Sequence, residues 1–172
     1  ILQANTGWAP VSAMEDIGAG LFNSNLATGL RSFAYGSSIF VTAAASAAGN
    51  VASSADARTW TLRAMPSSQT WLVGSDGSAF MALPVNNAGA AQSANGTTWT
   101  ATTALPAAIA APFSPIKVGG LWIMAGGATT YYTSADGVAW ATRTFPAAPT
   151  AVCQVGTTAW IRTSNTQAYT ST

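Results

Sequence analysis

Ser134-Ala135-Asp136-Gly137-Val138-Ala139-Trp140 is the third of a set, after Ser54-Ala55-Asp56-Ala57-Arg58-Thr59-Trp60 and Ser93-Ala94-Asn95-Gly96-Thr97-Thr98-Trp99. The three tryptophans recur about forty residues apart, the period of one supersecondary unit repeated along a chain. Units of that size build all-β rings or arrays, scaffolds that commonly serve binding.

Around each phrase the same order of elements returns. A short apolar strand ends in glycine at Phe33–Gly36, Trp71–Gly74, Ile116–Gly119 and Val152–Gly156. A tight turn follows, clearest in Gly74-Ser75-Asp76-Gly77, whose Asp-Gly pair is a strong hairpin signal. Second strands run through Ile39–Val41, Phe80–Ala82, Trp122–Met124 and Trp160–Ile161, and third strands through Val51–Ser53, Ala90–Gln92, Tyr131–Thr133 and Ala168–Thr170. The Ser-x-Asp turn and a fourth strand holding Trp60, Trp99 or Trp140 complete the unit.

Four strands per roughly forty residues is the pattern of a propeller blade. The chain is therefore expected to be all-β: a small β-propeller of about four four-stranded blades in a single domain over residues 1–172. The repeats cover approximately residues 30–68, 69–110, 115–147 and 150–172. The end Tyr169-Thr170-Ser171-Thr172 matches Tyr132-Thr133-Ser134-Ala135, so the chain stops as a third strand. Gln3-Ala4-Asn5-Thr6-Gly7-Trp8 matches the turn and fourth strand. Residues 1–10 are thus expected to join the last blade and close the ring, which removes exposed strand edges. The rival arrangement joins these blades to those of a neighbouring chain, or stacks them openly.

Composition narrows the function classes. With 172 residues the chain can bury a real core. Only 6% of them are charged, against about 25% in an average domain. A net charge of +1 gives no electrostatic reason to expect nucleic acid or an anionic membrane as partner. So little charge protects poorly against association, and much of the surface is expected to be covered in a larger assembly. Cys153 is the single cysteine, which excludes an intrachain disulfide, and its strand Ala151–Val155 suggests a small apolar core filler. The absence of histidine removes the usual zinc sites and histidine-dependent general bases. Isolated acidic turn residues do not assemble a calcium site, so neither metal nor cofactor is expected. No apolar run approaches the roughly 20 residues of a membrane-spanning helix. The chain begins at Ile1 without an initiator Met, which reads as processing or as a piece of a longer product.

The segment Tyr132–Trp140 resembles the Asp-box, or bacterial neuraminidase repeat, found in sialidases, other glycosidases and many non-catalytic propellers. Its Asp-Gly variant is similar to the repeats of phage tail and tail-fibre proteins. The set departs from that pattern at Ala57, where glycine is missing, and at Asn95, where Asp is replaced. The resemblance implies a structural role at the blade periphery for Ser54, Asp56, Trp60, Ser93, Asn95, Gly96, Trp99, Ser134, Asp136, Gly137 and Trp140. An Asp or Asn side chain accepts hydrogen bonds from N–H groups just downstream. Glycine relieves positive φ, and the tryptophan covers the turn.

Sialidases clamp a substrate carboxylate with three arginines and use a Tyr–Glu nucleophile with an Asp acid. Here Arg31, Arg58, Arg63, Arg143 and Arg162 accompany a single glutamate, Glu15. Arg63 and Arg143 sit at equivalent outer-strand positions of different repeats and cannot easily converge. Glycoside hydrolysis needs two facing carboxyl groups. Asp56 and Asp136 brace turns, Asp76 occupies a hairpin tip, and the adjacent Glu15 and Asp16 point different ways. The chain is therefore expected not to be an enzyme, but a phage virion component, structural or host-recognising, in an extracellular particle with other virion proteins or itself as partner. The alternative is a secreted or cell-surface lectin-like propeller binding a surface glycan through Trp71, Tyr131, Tyr132, Tyr169, Glu15 and Asp16. Against that, alternating strands bury most aromatics between blades. A degenerate sialidase-like glycosidase stands third. Function is most readily grafted on the Val11–Leu30 and Ala104–Pro115 stretches. The second, mostly Ala and Pro with Phe113, suits packing on a neighbouring subunit, and deleting residues 107–111 is expected to leave the fold intact but weaken assembly.

Overall fold

The computed structural model describes residues 30–44, 50–163 and 167–171. Blade 1 consists of β1 (Leu30–Gly36), β2 (Ile39–Ala44), β3 (Asn50–Ser54) and β4 (Thr61–Ala64). Blade 2 holds β5 (Trp71–Ser75), β6 (Phe80–Pro84), β7 (Ala91–Ser93) and β8 (Thr100–Ala101). Blade 3 holds β9 (Ile116–Val118), β10 (Leu121–Met124), β11 (Thr130–Ser134) and β12 (Ala141–Thr144). Blade 4 shows three strands among the described residues, β13 (Ala151–Val155), β14 (Thr158–Arg162) and β15 (Ala168–Ser171). Each sheet is an antiparallel meander in chain order, and together they make a four-bladed β-propeller. The closing strand expected from residues 1–10 and the connection from Val11 lie outside the described residues.

Strand register defines the repeat more sharply than the sequence does. Phe40 stands opposite Ser54, Phe80 opposite Ser93, Trp122 opposite Ser134, and Ala159 opposite Ser171. In blade 4 the expected match of Trp160 to Trp122 is thus one residue out. A slip of one flips a side chain to the other face, so Trp160 leaves the inter-blade layer and Ala159 fills it. The first turns shift likewise. Ser37, Gly77, Gly119 and Gly156 occupy the equivalent left-handed position, with φ of 49°, 93°, 57° and 59°. Gly74, expected to end its strand at the turn, lies inside β5; there a Cβ would run into the Pro115 carbonyl of blade 3.

Alternate residues of a blade pack on one neighbour and then the other, so the core consists of layers between blades. Val41 and Val51 of blade 1 meet Val73, Phe80 and Trp99 of blade 2. Met81 and Leu83 of blade 2 meet Trp122, Met124 and Tyr132 of blade 3. Ile116 and Val118 of blade 3 meet Ala159 and Val152 of blade 4. Fully burying one such side chain is worth about 1.5–3 kcal/mol.

Two expectations are corrected here. The Ala104–Pro115 stretch is not spare surface, because Leu105 and Ile109 are buried in the layer between blades 2 and 3. Its backbone is tied down as well: Leu105 N–H donates to the Ala88 carbonyl at 2.7 Å and Phe113 N–H to the Ala125 carbonyl at 2.8 Å. Cys153 is exposed rather than a core filler. Val152 takes the inward place on β13, and strand alternation turns Cys153 to the opposite face.

Candidate functional site

The three Ser-x-Asx turns share one geometry. Asp56 Oδ1 accepts N–H groups from Arg58 at 2.8 Å and Thr59 at 2.7 Å, and the Ser54 hydroxyl at 2.9 Å. Asn95 Oδ1 accepts from the Thr97 and Thr98 N–H groups, both at 2.9 Å, and from the Ser93 hydroxyl at 3.1 Å. Asp136 Oδ1 accepts from Val138 at 2.8 Å, Ala139 at 3.0 Å and the Ser134 hydroxyl at 2.9 Å. Ala57, Gly96 and Gly137 all carry positive φ, at 57°, 69° and 76°. Ala57 holds its place despite the Cβ, a conformation that disfavours a non-glycine residue by about 1–2 kcal/mol.

These hydrogen bonds favour the carboxylate. Backbone N–H groups of Thr59 and then Arg58 hold Asp56 at a pKa of about 2, below the usual 3.8. Ala139 and then Val138 hold Asp136 at about 2 in the same way. Trp60, Trp99 and Trp140 each sit one residue before the fourth strand rather than within it. Trp99 is buried with its ring 6.3 Å from that of Phe80, Trp140 packs beside the Met81 and Trp122 layer, and Trp60 lies 6.2 Å from Phe33.

The aromatic residues expected to contact a ligand do not converge. Trp71 and Tyr132 are core residues, buried because strand alternation points them between blades. Tyr131 is half-buried and stacks on Phe145 with ring centroids 3.9 Å apart. Tyr169 is exposed on β15. Glu15 and Asp16 lie outside the described residues.

Residues from the first strands of all four blades, among them Tyr35, Ser75, Ile116 and Gln154, instead line one cavity of about 490 Å³. Register makes Tyr35, Ser75, Lys117 and Gln154 equivalent positions, as partners of Phe40, Phe80, Trp122 and Ala159. Lys117 Nζ stands 2.8 Å from Asp76 Oδ2 and 5.2 Å from the centre of the Trp122 ring. Gln154 Oε1 accepts the Lys117 backbone N–H at 3.2 Å. Partial burial works against the Asp76 charge. The Lys117 ammonium, the Ser78 and Ala79 N–H groups and the Ser78 hydroxyl outweigh it and hold the carboxyl well below the usual range. The wall offers the Asp76 carboxylate paired with Lys117, the Gln154 amide and the Tyr35 phenol ring, groups suited to holding a polar ligand. Sequence reasoning missed Tyr35, Lys117 and Gln154, whose only signal is their common place in the repeat. Two outer grooves of about 440 and 290 Å³ flank the Asn95 and Asp56 turns at repeat-equivalent places.

Among the described residues no group of three or more His, Cys, Asp or Glu is placed to hold a metal ion. No helix among them is long and apolar enough to cross a membrane.

No protein-family model matches the chain, and no curated protein sequence matches it either. Solved structures do. Virginiamycin B lyase from Staphylococcus aureus is similar with a TM-score of 0.64 and 12% identity, covering 86% of this chain and 57% of its own. YCF48 bound to a D1 peptide gives 0.57 and 15%, with 77% of this chain and 47% of that one covered. The computationally designed Ika4 protein gives 0.60 and 10%, with 83% and 90% covered. This chain spans about half the length of the two natural proteins. A lyase, a peptide-bound protein and a designed one share the architecture, so the likeness is one of fold.

Proposed function

We propose that the chain is a non-catalytic Asp-box propeller of a phage particle, a tail, fibre or decoration component that recognises a host surface or holds particle proteins together. One observation carries the non-catalytic half: every carboxyl group among the described residues is already committed. Asp56 and Asp136 are tied to turn backbone, and Asp76 to Lys117. Carboxyls held so far below the usual range have no proton to donate near neutral pH, and glycoside hydrolysis requires one that does. The Ser–Asx–Trp geometry, repeated in three blades, supports the Asp-box assignment. The particle half rests on the likeness of the Asp-Gly phrase to tail and tail-fibre repeats and on a chain only 6% charged.

A surface lectin is the second reading, favoured by the paired grooves. Thr98, Thr100 and Gln92 line one, and Thr59, Thr61 and Arg63 the other, hydroxyl- and amide-rich walls that suit a sugar. An array of bacterial and eukaryotic surface glycans, run beside an assay for released reducing sugar, tests both. Saturable binding to a bacterial polysaccharide without release is the expected result. Turnover of any glycan would overturn the non-catalytic reading, and binding confined to eukaryotic glycans would favour the lectin over the phage component.

A further inference from the structure

Among the described residues, the first and fourth blades each present exposed apolar side chains on one face. Each inter-blade layer repeats one set of pairings. Ala34 packs into the layer that holds Val73, Gly74 abuts Pro115, and Ile116 packs with Val152. Nearer the turn, Gly36 abuts Ser75 and Asp76 holds Lys117. Continued by one step, the series sets Cys153 of blade 4 against Phe33 of a following blade 1, and Val155 against Tyr35.

Among the described residues that step is not taken. Phe33, Tyr35, Val155 and Trp160 are 56%, 57%, 64% and 46% exposed. The register equivalents of Phe33, Val155 and Trp160 in packed layers are closed, Val73 at 0%, Val118 at 6% and Met81 at 1%, and those of Tyr35 in blades 2 and 3, Ser75 and Lys117, are half-buried. The faces left open are apolar and large, in a chain with little charge to keep them in water. We propose that they are covered by a second copy of this chain, packed head to tail so that blade 4 of each copy lies on blade 1 of the other. A second copy carries both complementary faces in the register the chain already uses three times. Two such contacts, related by a two-fold axis, satisfy every open face at once. This inference is independent of the phage reading.

Cys153 provides the probe, because it lies on the blade 4 face and is the only native cysteine. In Phe33→Cys the series brings the two thiols to neighbouring positions, within reach of a disulfide. Under mild oxidation the expected product is a linked pair of 17.4 kDa chains on a non-reducing gel, and light scattering on the unmodified protein should report twice the chain mass. Loss of both thiols at the mass of one chain would overturn the proposal, since the ring then closes on itself. Free thiols with a monomer at all concentrations would overturn it as well. Should Phe33→Cys fail to fold, Trp160→Glu serves instead: it is expected to convert the dimer to a monomer with native cooperative unfolding. A dimer that survives Trp160→Glu would sink the idea.

Discussion

Trp99 and Trp60 hold the same position in successive repeats, yet their surroundings differ. Trp99 closes the layer between blades 1 and 2 and is buried against Phe80, whereas Trp60 leans on the exposed ring of Phe33 at the open face of blade 1. The same local sequence is therefore worth more or less according to whether a neighbouring blade is there to cover it. Stability in such an array is a sum of blade terms and interface terms.

The largest test of that difference is Trp99→Ala, expected to cost about 3–5 kcal/mol in urea unfolding. Trp60→Ala, read the same way in dilute protein, should cost less than half as much. Equal losses would erase the distinction between layer and open face. Gly74 and Cys153 make the next pair, since they are equivalent positions on β5 and β13. Gly74→Ala drives a Cβ into the Pro115 carbonyl and should cost about 1–3 kcal/mol. Cys153→Val, at the open face, should stay within about 0.5 kcal/mol in dilute protein.

Smaller effects come from the turns. Ala57→Gly relieves a left-handed residue and should stabilise by about 1 kcal/mol. Gly137→Ala should destabilise, because its Cβ would stand 2.5 Å from the Met81 methyl of blade 2. No gain at Ala57 together with no loss at Gly137 would mean that the left-handed conformation does not set these positions.

The smallest effect is electrostatic. Asn95 makes the same turn without charge, so Asp136→Asn should change little at pH 7. The folded pKa of Asp56 and Asp136 lies at about 2, below the usual 3.8. Their stabilisation is therefore complete above about pH 4 and lost as the pH falls towards 2. Replacing both by Asn should flatten that acid limb, as unfolding midpoints at pH 7 and 2.5 would report. An unchanged limb would place the acid sensitivity elsewhere.

The fold was legible because a turn that needs an acceptor, a small residue and a covering aromatic leaves all three in the sequence. Finer alignment failed where geometry is carried by residues without such demands. Ser37 takes the left-handed turn position that Gly36 was expected to mark, and Ala159 takes a layer position that a neighbouring Trp160 obscures. Leu105 and Ile109 were hidden in Ala- and Pro-rich surroundings that resemble a linker, although burial makes them part of the core. The cavity wall was illegible for another reason. Tyr35, Asp76 and Gln154 come from three separate blades, and no local motif joins them before the blades assemble.

In blade 4, β13 is exposed except for the half-buried Val152, β14 buries only Ala159 and Ile161, and every described residue of β15 is exposed; in blade 2, β5 and β6 are almost wholly buried. The molecule should accordingly come apart in order. Amide hydrogens of blade 4 should exchange first, through opening that costs far less than global unfolding, and those of β6 last. A protease sampling the native ensemble would then trim the chain from blade 4 inward, so association that covers this blade should also lengthen the life of the intact chain.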